Sequence, residues 1–473
     1  MNFISVKFVL FFTALLLLYR FIKKEKCKQL LLLAASYVFY AAASVKFMLL
    51  LALMSLLTWA IGIWIQRYKE KEKTGKRPLV IGIVICLSVL GYFKYCGFFV
   101  ESFTELFGLQ QLDTLNIILP LGISFYTFQA ISYICDVYLG KIQPVSEPWK
   151  VMLYIGFFPQ IVSGPIVKAR DFVPQLYTEH KITKENLSYG VQLIITGLFK
   201  KVVVADRLGV GVDAVYAAPG VYSGPSLLVA AIGYAIQIYC DFSGYSDMAL
   251  GVARILGYNL GVNFNIPYIS KNPSDFWRRW HISLSSWFKE YVYIPLGGNR
   301  KGKARTHCNL FITMLLSGLW HGANWTFVAW GACHGLTSTV NKIYRDIREK
   351  NTRDRTSGKE NKVAEVISII INVAIAWLLW IPFRADNFSD AMTVIKGIFT
   401  NQQGISYIYE WTIVYTLLIM GIQIYRKIVW KGDGVWKPLD LNKFRNQVLF
   451  CTFALLIVVF AYVGDTAFIY ANF

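Results

Sequence analysis

Apolar residues in this chain run in long blocks rather than alternating with polar ones, and the blocks have the length of bilayer crossings. A bilayer core takes about 20 apolar residues as a helix, and about a dozen stretches approach that length. They are residues 3–22, 30–44, 47–65, 79–100, 117–137, 151–167, 187–204, 227–256, 310–340, 366–383, 411–425 and 448–463. The pattern predicts an all-α, polytopic integral membrane protein with about 10 to 12 transmembrane helices plus re-entrant and interfacial helices. Two blocks do not read as plain crossings. Residues 151–167 are short and contain Pro159, Gly164 and Pro165, which suits a re-entrant segment, and 310–340 is long enough for a hairpin broken near Gly322. The first block lacks a basic leader and a close cleavage site, so it is expected to stay as the first span. There is no internal repeat, and residues 1–473 are expected to form one membrane-embedded domain.

Composition supports this reading. The 473 residues are 55% hydrophobic and 16% charged, with 14 Trp, 28 Tyr and 33 Phe, whereas soluble domains average about 25% charged. A soluble globule and a disordered chain are thereby excluded. Eight cysteines stand singly without disulfide-scaffold or zinc spacing, so they are expected as buried free thiols, with no metal site.

The 48 Lys and Arg outweigh the 28 Asp and Glu, a balance of +20. This surplus lies in short loops between apolar blocks, which argues against nucleic acid and for membrane topology. Arg67 to Arg77 and Lys342 to Lys362 mark two basic loops expected in the cytoplasm. Loops 101–116, 209–225 and 385–410 hold almost no Lys or Arg and are expected outside, as are both termini. The basic stretch 259–307 then falls on the cytoplasmic side of the membrane.

Candidate chemistry concentrates there and just beyond. Residues 272–296 open with a capping Asn272 and Pro273 at the first helical position, and are expected to continue as one amphipathic helix ending before Pro295. Trp277, Trp280, His281, Leu284, Phe288 and Tyr291 share one helical face, while Arg279, Ser283, Ser286 and Glu290 share another. A membrane-surface anchor would show the same pattern, and His281 on the aromatic face is the residue it does not explain. His321 stands in a nearly uncharged run beside Trp320, Gly322 and Asn324. A buried imidazole stays neutral and able to accept a proton, as a general base must; a hydrogen-bonded core histidine is the plainer alternative. His334, thirteen residues on, is expected to face elsewhere. Asp241 and Asp247 lie in an apolar run with a break expected at Gly244, and read as structural support rather than catalysts. Gly297, Gly298 and Asn299 read as a turn.

The wording YCDFSGYSDMALG, NFNIPY, FWRRWHISLSSWFKEYVYIPLGGNRKG and LSGLWHGANWTFVAWGACHG resembles the membrane-bound O-acyltransferase (MBOAT) family, and within it the bacterial branch of alginate O-acetyltransferase membrane subunits. The close match spans residues 116–334. The resemblance implies acyl transfer from an intracellular thioester through a tunnel to an outward-facing hydroxyl, with His321 as the family's histidine in the tryptophan-glycine context and His281 as its second histidine. It implies a location in the plasma membrane of a bacterium and no permanently bound cofactor. The expected donor is acetyl-CoA or another phosphopantetheine thioester, whose phosphates would meet Arg278, Arg279, Lys289 and Arg300. The expected partners are membrane lipid, a polysaccharide acceptor and an exported esterase-like protein that completes the transfer. The chain ends in FIYANF where the branch often ends in FIYFxF. D-alanyl transfer to teichoic acid, or a transporter without acyltransferase activity, are the alternatives.

Overall fold

A computed structural model describes residues 2–109, 117–351, 362–429, 437–462, 464 and 469. Asn116, the loop positions Arg353, Arg355 and Lys359, and Ala471 of the tail lie outside them. The order begins α1 (Val6–Phe21), α2 (Glu25–Ala41), α3 (Val45–Glu70), α4 (Lys76–Leu90), a π-helical turn (Gly91–Tyr95) and α5 (Cys96–Phe107). It continues through α6 (Ile123–Tyr138), α7 (Pro148–Gly156), α8 (Phe158–Ile161), α9 (Ala169–Phe172), α10 (Lys184–Leu198), α11 (Asp206–Tyr216) and α12 (Gly224–Ile255). Then come α13 (Pro273–Trp277), α14 (Ile282–Phe288), α15 (Lys303–His321), α16 (Trp325–Asn351), α17 (Lys362–Arg384), α18 (Phe388–Phe399), α19 (Glu410–Val429) and α20 (Phe444–Phe460).

Among the described residues, six helical stretches are long and apolar enough to cross a membrane: Val45–Glu70, Lys76–Phe107, Lys184–Tyr216, Gly224–Ile255, Lys362–Arg384 and Glu410–Val429. The sequence suggested more because it counts apolar residues and not helix length. α1, α2 and α20 are only 16, 17 and 17 residues long, and at 1.5 Å per residue they fall short of a ~30 Å core unless their flanks contribute.

α12 lies at the centre and is buried along most of its length. It does not break at Gly244. That glycine instead lets α10 approach, since a Cβ there would stand 2.8 Å from the Gly197 carbonyl oxygen. The block 151–167 is broken, as its prolines require. Inside the protein such irregular backbone needs side-chain partners, and Ser36 Oγ accepts from Phe158 N at 3.1 Å while Tyr154 Oη donates to Val167 O at 2.9 Å. The irregular segment after α12, which includes a short 3-10 turn at Pro267–Ile269, is held in the same way. Tyr268 N donates to Gln423 Oε1 on α19, and Asn372 Nδ2 on α17 donates to Ser270 O. The cysteines are free, but only Cys86 and Cys240 are buried; Cys333 and Cys451 are exposed because an apolar run in a membrane protein presents one side to lipid, and Cys27 and Cys308 are exposed just before such runs begin.

Glu290, in the π-helical turn after α14, ties α14 to the segment that follows α8. Its carboxylate meets Lys168 at 2.7 Å, Arg170 at 2.6 Å and Lys141 at 3.6 Å. Burial alone would raise this carboxyl, but the hydrogen bonds from Arg170 and Lys168 outweigh it and hold the pKa down to about 2. The stability it contributes is therefore complete above the unfolded carboxyl value near ~4.3 and is lost as the pH falls through about 2. Glu290→Gln keeps the shape and removes the charge, so it is expected to cost about 1.5–3 kcal/mol and to lower the melting temperature in detergent at pH 7. An unchanged melting temperature would show that the hub does not hold α14 in place.

Candidate active site

The sequence predicts one helix through His281, but the chain breaks there. His281 takes a left-handed backbone conformation, φ 41° and ψ 56°, at the start of α14, a state that disfavours residues with a Cβ and persists only where the surroundings enforce it. Asn263 supplies that enforcement. Its backbone oxygen accepts from Ile282 N at 2.9 Å. Its Oδ1 accepts from Ser283 N at 3.2 Å and Ser283 Oγ at 2.9 Å, and lies 3.2 Å from His281 Nδ1. The kink leaves the imidazole fully buried inside the protein, with its ring edge-on to Phe242 at 4.7 Å.

His321 reaches the same place from the opposite direction, as the last residue of α15. Gly322 then adopts extended backbone and α16 starts at Trp325, so the expected hairpin is present. α15 and α16 pack through Gly318 and Gly331, where a Cβ on Gly331 would stand 2.7 Å from the Met314 carbonyl oxygen. This close crossing places the His321 ring at the centre of an aromatic box, perpendicular to Trp330 at 5.0 Å and to Phe383 at 5.3 Å. The two imidazole centroids are 6.5 Å apart. His334 does not face elsewhere. Because the helix breaks between them, it sits one turn into α16 beyond Trp330, and that indole touches both His321 and His334, the latter at 4.8 Å.

A helix that stops inside a protein leaves its last carbonyls without intrahelical donors. Here the π-helical turn Gly91–Tyr95 provides them: Lys94 Nζ donates to Trp320 O and, at 3.3 Å, to His321 O, and Tyr95 Oη donates to Leu319 O at 2.8 Å. The amine thereby sits at the negative end of the α15 dipole. Lys94, not among the residues expected at the site, has a signal in the sequence, being a lone lysine within the block 79–100, where charge inside a span is costly.

The four basic residues proposed for the donor are not equivalent. Arg278 and Lys289 line a cavity of about 460 Å³ between α13, α14, α15 and α16, joined by Lys342 and by the hydroxyls of Ser285, Ser286 and Ser317. Ser317 is one turn before His321, and Trp277, another wall of the cavity, stands edge-on to Trp330 at 5.7 Å. Arg279 does not line the cavity and donates to Asp275 at 3.0 Å. Arg300 is exposed and also lies off it. Asp241 and Asp247 engage lysines, Lys201 and Lys200 respectively, each at 2.6 Å, consistent with support rather than catalysis.

Residues 145–381, which contain both central histidines, match the membrane-bound O-acyltransferase family. The chain belongs to that family. Over 403 residues, 85% of this chain and 75% of the relative, it is 39% identical to the probable alginate O-acetylase AlgI of Pseudomonas aeruginosa. It is 34% identical to the peptidoglycan O-acetyltransferase of Helicobacter pylori, covering 82% of this chain and 76% of the relative. A teichoic acid D-alanyltransferase of Streptococcus thermophilus is more distant at 29%, covering 77% and 90%. The protein is thus a multi-pass membrane acyltransferase of the alginate and peptidoglycan O-acetyltransferase type, which sets aside the transporter alternative.

In this acyltransferase, Lys94→Met is expected to lower turnover by up to about 30-fold, the equivalent of the ~2 kcal/mol that a buried carbonyl costs when it loses its donor. Lys94→Arg should retain more, because the guanidinium can still donate to both carbonyls. Acyl transfer measured with purified enzyme in detergent tests this, and equal turnover in wild type and Lys94→Met would remove Lys94 from the positioning of His321.

Proposed function

We propose that the enzyme moves an acetyl group from acetyl-CoA, or another phosphopantetheine thioester, to a hydroxyl of an extracellular or cell-wall polysaccharide, directly or through an exported partner. The observation that carries this reading is the pair of buried histidines whose chain neighbours, Ile282 after His281 and Ser317 one turn before His321, line a cavity with a basic rim. A thioester donor is long, thin and anionic at one end. Arg278, Lys289 and Lys342 suit its phosphates, and the interior of the cavity suits the uncharged arm that leads to the reacting carbonyl.

Within that arrangement His321 is the general base. It takes the proton from the acceptor hydroxyl as the oxygen attacks the thioester carbonyl, and the resulting imidazolium returns a proton to the departing thiolate. The aromatic box excludes water that would otherwise hydrolyse the donor. His281, held by Asn263 through Nδ1, presents Nε2 toward the interior and orients the acceptor or the thioester. D-alanyl transfer from a carrier protein would use the same geometry, and the identity of the relatives favours acetyl transfer.

His321→Ala is expected to reduce acetyl transfer by about 10²- to 10⁴-fold while the protein remains inserted and folded; near-normal transfer would refute its role as base. Donor placement has a separate signature. Arg278→Glu or Lys289→Glu should raise KM for acetyl-CoA in lipid-free detergent with little change in kcat, while Arg300→Glu should leave it unchanged. An unaltered KM in the first two would move the donor elsewhere and leave these residues as lipid anchors.

A further inference from the structure

In the wall of the cavity beside Arg278 and Lys289, the hydroxyls of Ser285, Ser286 and Thr313 donate to nearby backbone carbonyls, Trp280 O at 3.3 Å, Ser283 O at 2.9 Å and Asn309 O at 2.6 Å. Two other lining groups do not. Trp277 Nε1 and Ser338 Oγ are buried, and neither has a hydrogen-bond partner among the described residues. Ser338 is only 3% exposed. A helical serine can donate to the carbonyl four residues before it, which here is His334 O, but that oxygen accepts from Thr337 Oγ1 at 3.0 Å. The Trp277 indole is a donor with no accepting capacity. A buried donor left unpaired is costly, so two of them in the wall of one cavity point to a ligand that carries acceptors.

The two donors stand in order along the cavity. Trp277 is edge-on to Trp330 at 5.7 Å, and Trp330 is edge-on to His321 at 5.0 Å, so Trp277 belongs to the end nearer the histidines. Ser338 and Lys342 come later on α16, and at 1.5 Å per residue they lie about 12 Å and about 18 Å along the helix from Trp330. An extended pantetheine arm has matching proportions. From the thioester sulfur, ordinary bond lengths place the nearer amide carbonyl at about 5 Å, the farther one at about 10 Å and the phosphate at about 16 Å.

We infer that Trp277 and Ser338 recognise the pantetheine arm of the donor through its two amides. Trp277 Nε1 donates to the carbonyl oxygen of the amide nearer the sulfur, Ser338 Oγ donates to that of the farther amide, and Lys342 meets the phosphate. The inference rests on the donor reading above and deepens it, because contacts to phosphate alone neither read the uncharged arm nor fix how far the thioester reaches toward His321. A site built to donate to a substrate group discriminates strongly against an analogue that lacks it, so a thioester on a plain alkyl thiol is a poor donor.

The test uses full-length enzyme in detergent and displacement of radiolabelled acetyl-CoA by three probes. These are acetyl-CoA itself, S-acetyl-N-acetylcysteamine, which keeps only the nearer amide, and adenosine 3′,5′-bisphosphate, which has phosphates and no arm. Trp277→Phe keeps an aromatic ring and removes the N–H, and is expected to weaken both thioesters by about 3- to 10-fold while leaving the bisphosphate unchanged. Ser338→Ala is expected to weaken acetyl-CoA by a similar factor and to leave the other two probes unchanged. A purely structural disturbance would weaken all three probes alike, and that pattern would overturn the inference. Unchanged acetyl-CoA affinity in both variants, or an equal loss for the two thioesters in Ser338→Ala, would overturn it as well. Arg278→Glu and Lys289→Glu separate its failure from that of the donor reading. If they weaken acetyl-CoA while Trp277→Phe and Ser338→Ala do not, the donor stays in this cavity and the amide contacts are wrong; if none of the four variants does, both readings fall.

Discussion

α15 ends at His321, within the protein and not at a membrane surface, and much of the surrounding structure answers the problem this creates. Carbonyls released from a helix in a dry interior cost several kcal/mol each if nothing donates to them. Lys94 and Tyr95 donate, and they can do so because α4 passes into a π-helical turn that rotates their side chains toward α15. The same ending frees His321 from the helical ladder and lets α16 turn back across it, with Gly318 against Gly331 and Trp330 against the imidazole.

A parallel solution operates at His281. There the unfavourable element is a left-handed residue with a side chain, and the compensation comes from Asn263 together with the aromatic packing of Trp280 and Phe242. Two breaks, each with its own polar support, thus bring two rings to within 6.5 Å of one another. Glu290 and its three cations fix the helix that carries one of them, and Ser283 links that helix to the broken segment through Ile166 N at 3.0 Å. At each break the irregular backbone has hydrogen bonds of its own to hold it.

Much of this was legible beforehand. The all-helical class followed from the length of the apolar blocks, and the interruptions near Pro159 and Gly322 followed from residue types that break or weaken a helix. His281 and His321 stood out because an imidazole among tryptophans is unusual, though nothing in their spacing said they would meet. What stayed hidden depended on long-range contact. Asn272, Pro273 and an unbroken amphipathic period all argue for a helix through residue 281, and only Asn263, eighteen residues earlier, overrides them. Gly244 looked like a break because sequence alone cannot distinguish a glycine that bends a helix from one that admits a neighbour. Lys94 was overlooked for the complementary reason, that its partners are backbone carbonyls more than two hundred residues away.

The central claim is that His281 and His321 serve one reaction step in one site, and a double-mutant comparison addresses it most directly. Single-turnover acetyl transfer would be measured for His281→Ala, His321→Ala and the pair, with insertion and melting temperature as controls. Residues that act as a unit are strongly non-additive, so the double variant is expected to be about as slow as His321→Ala alone. Losses that multiply would mean that the two histidines act independently, and would contradict the account.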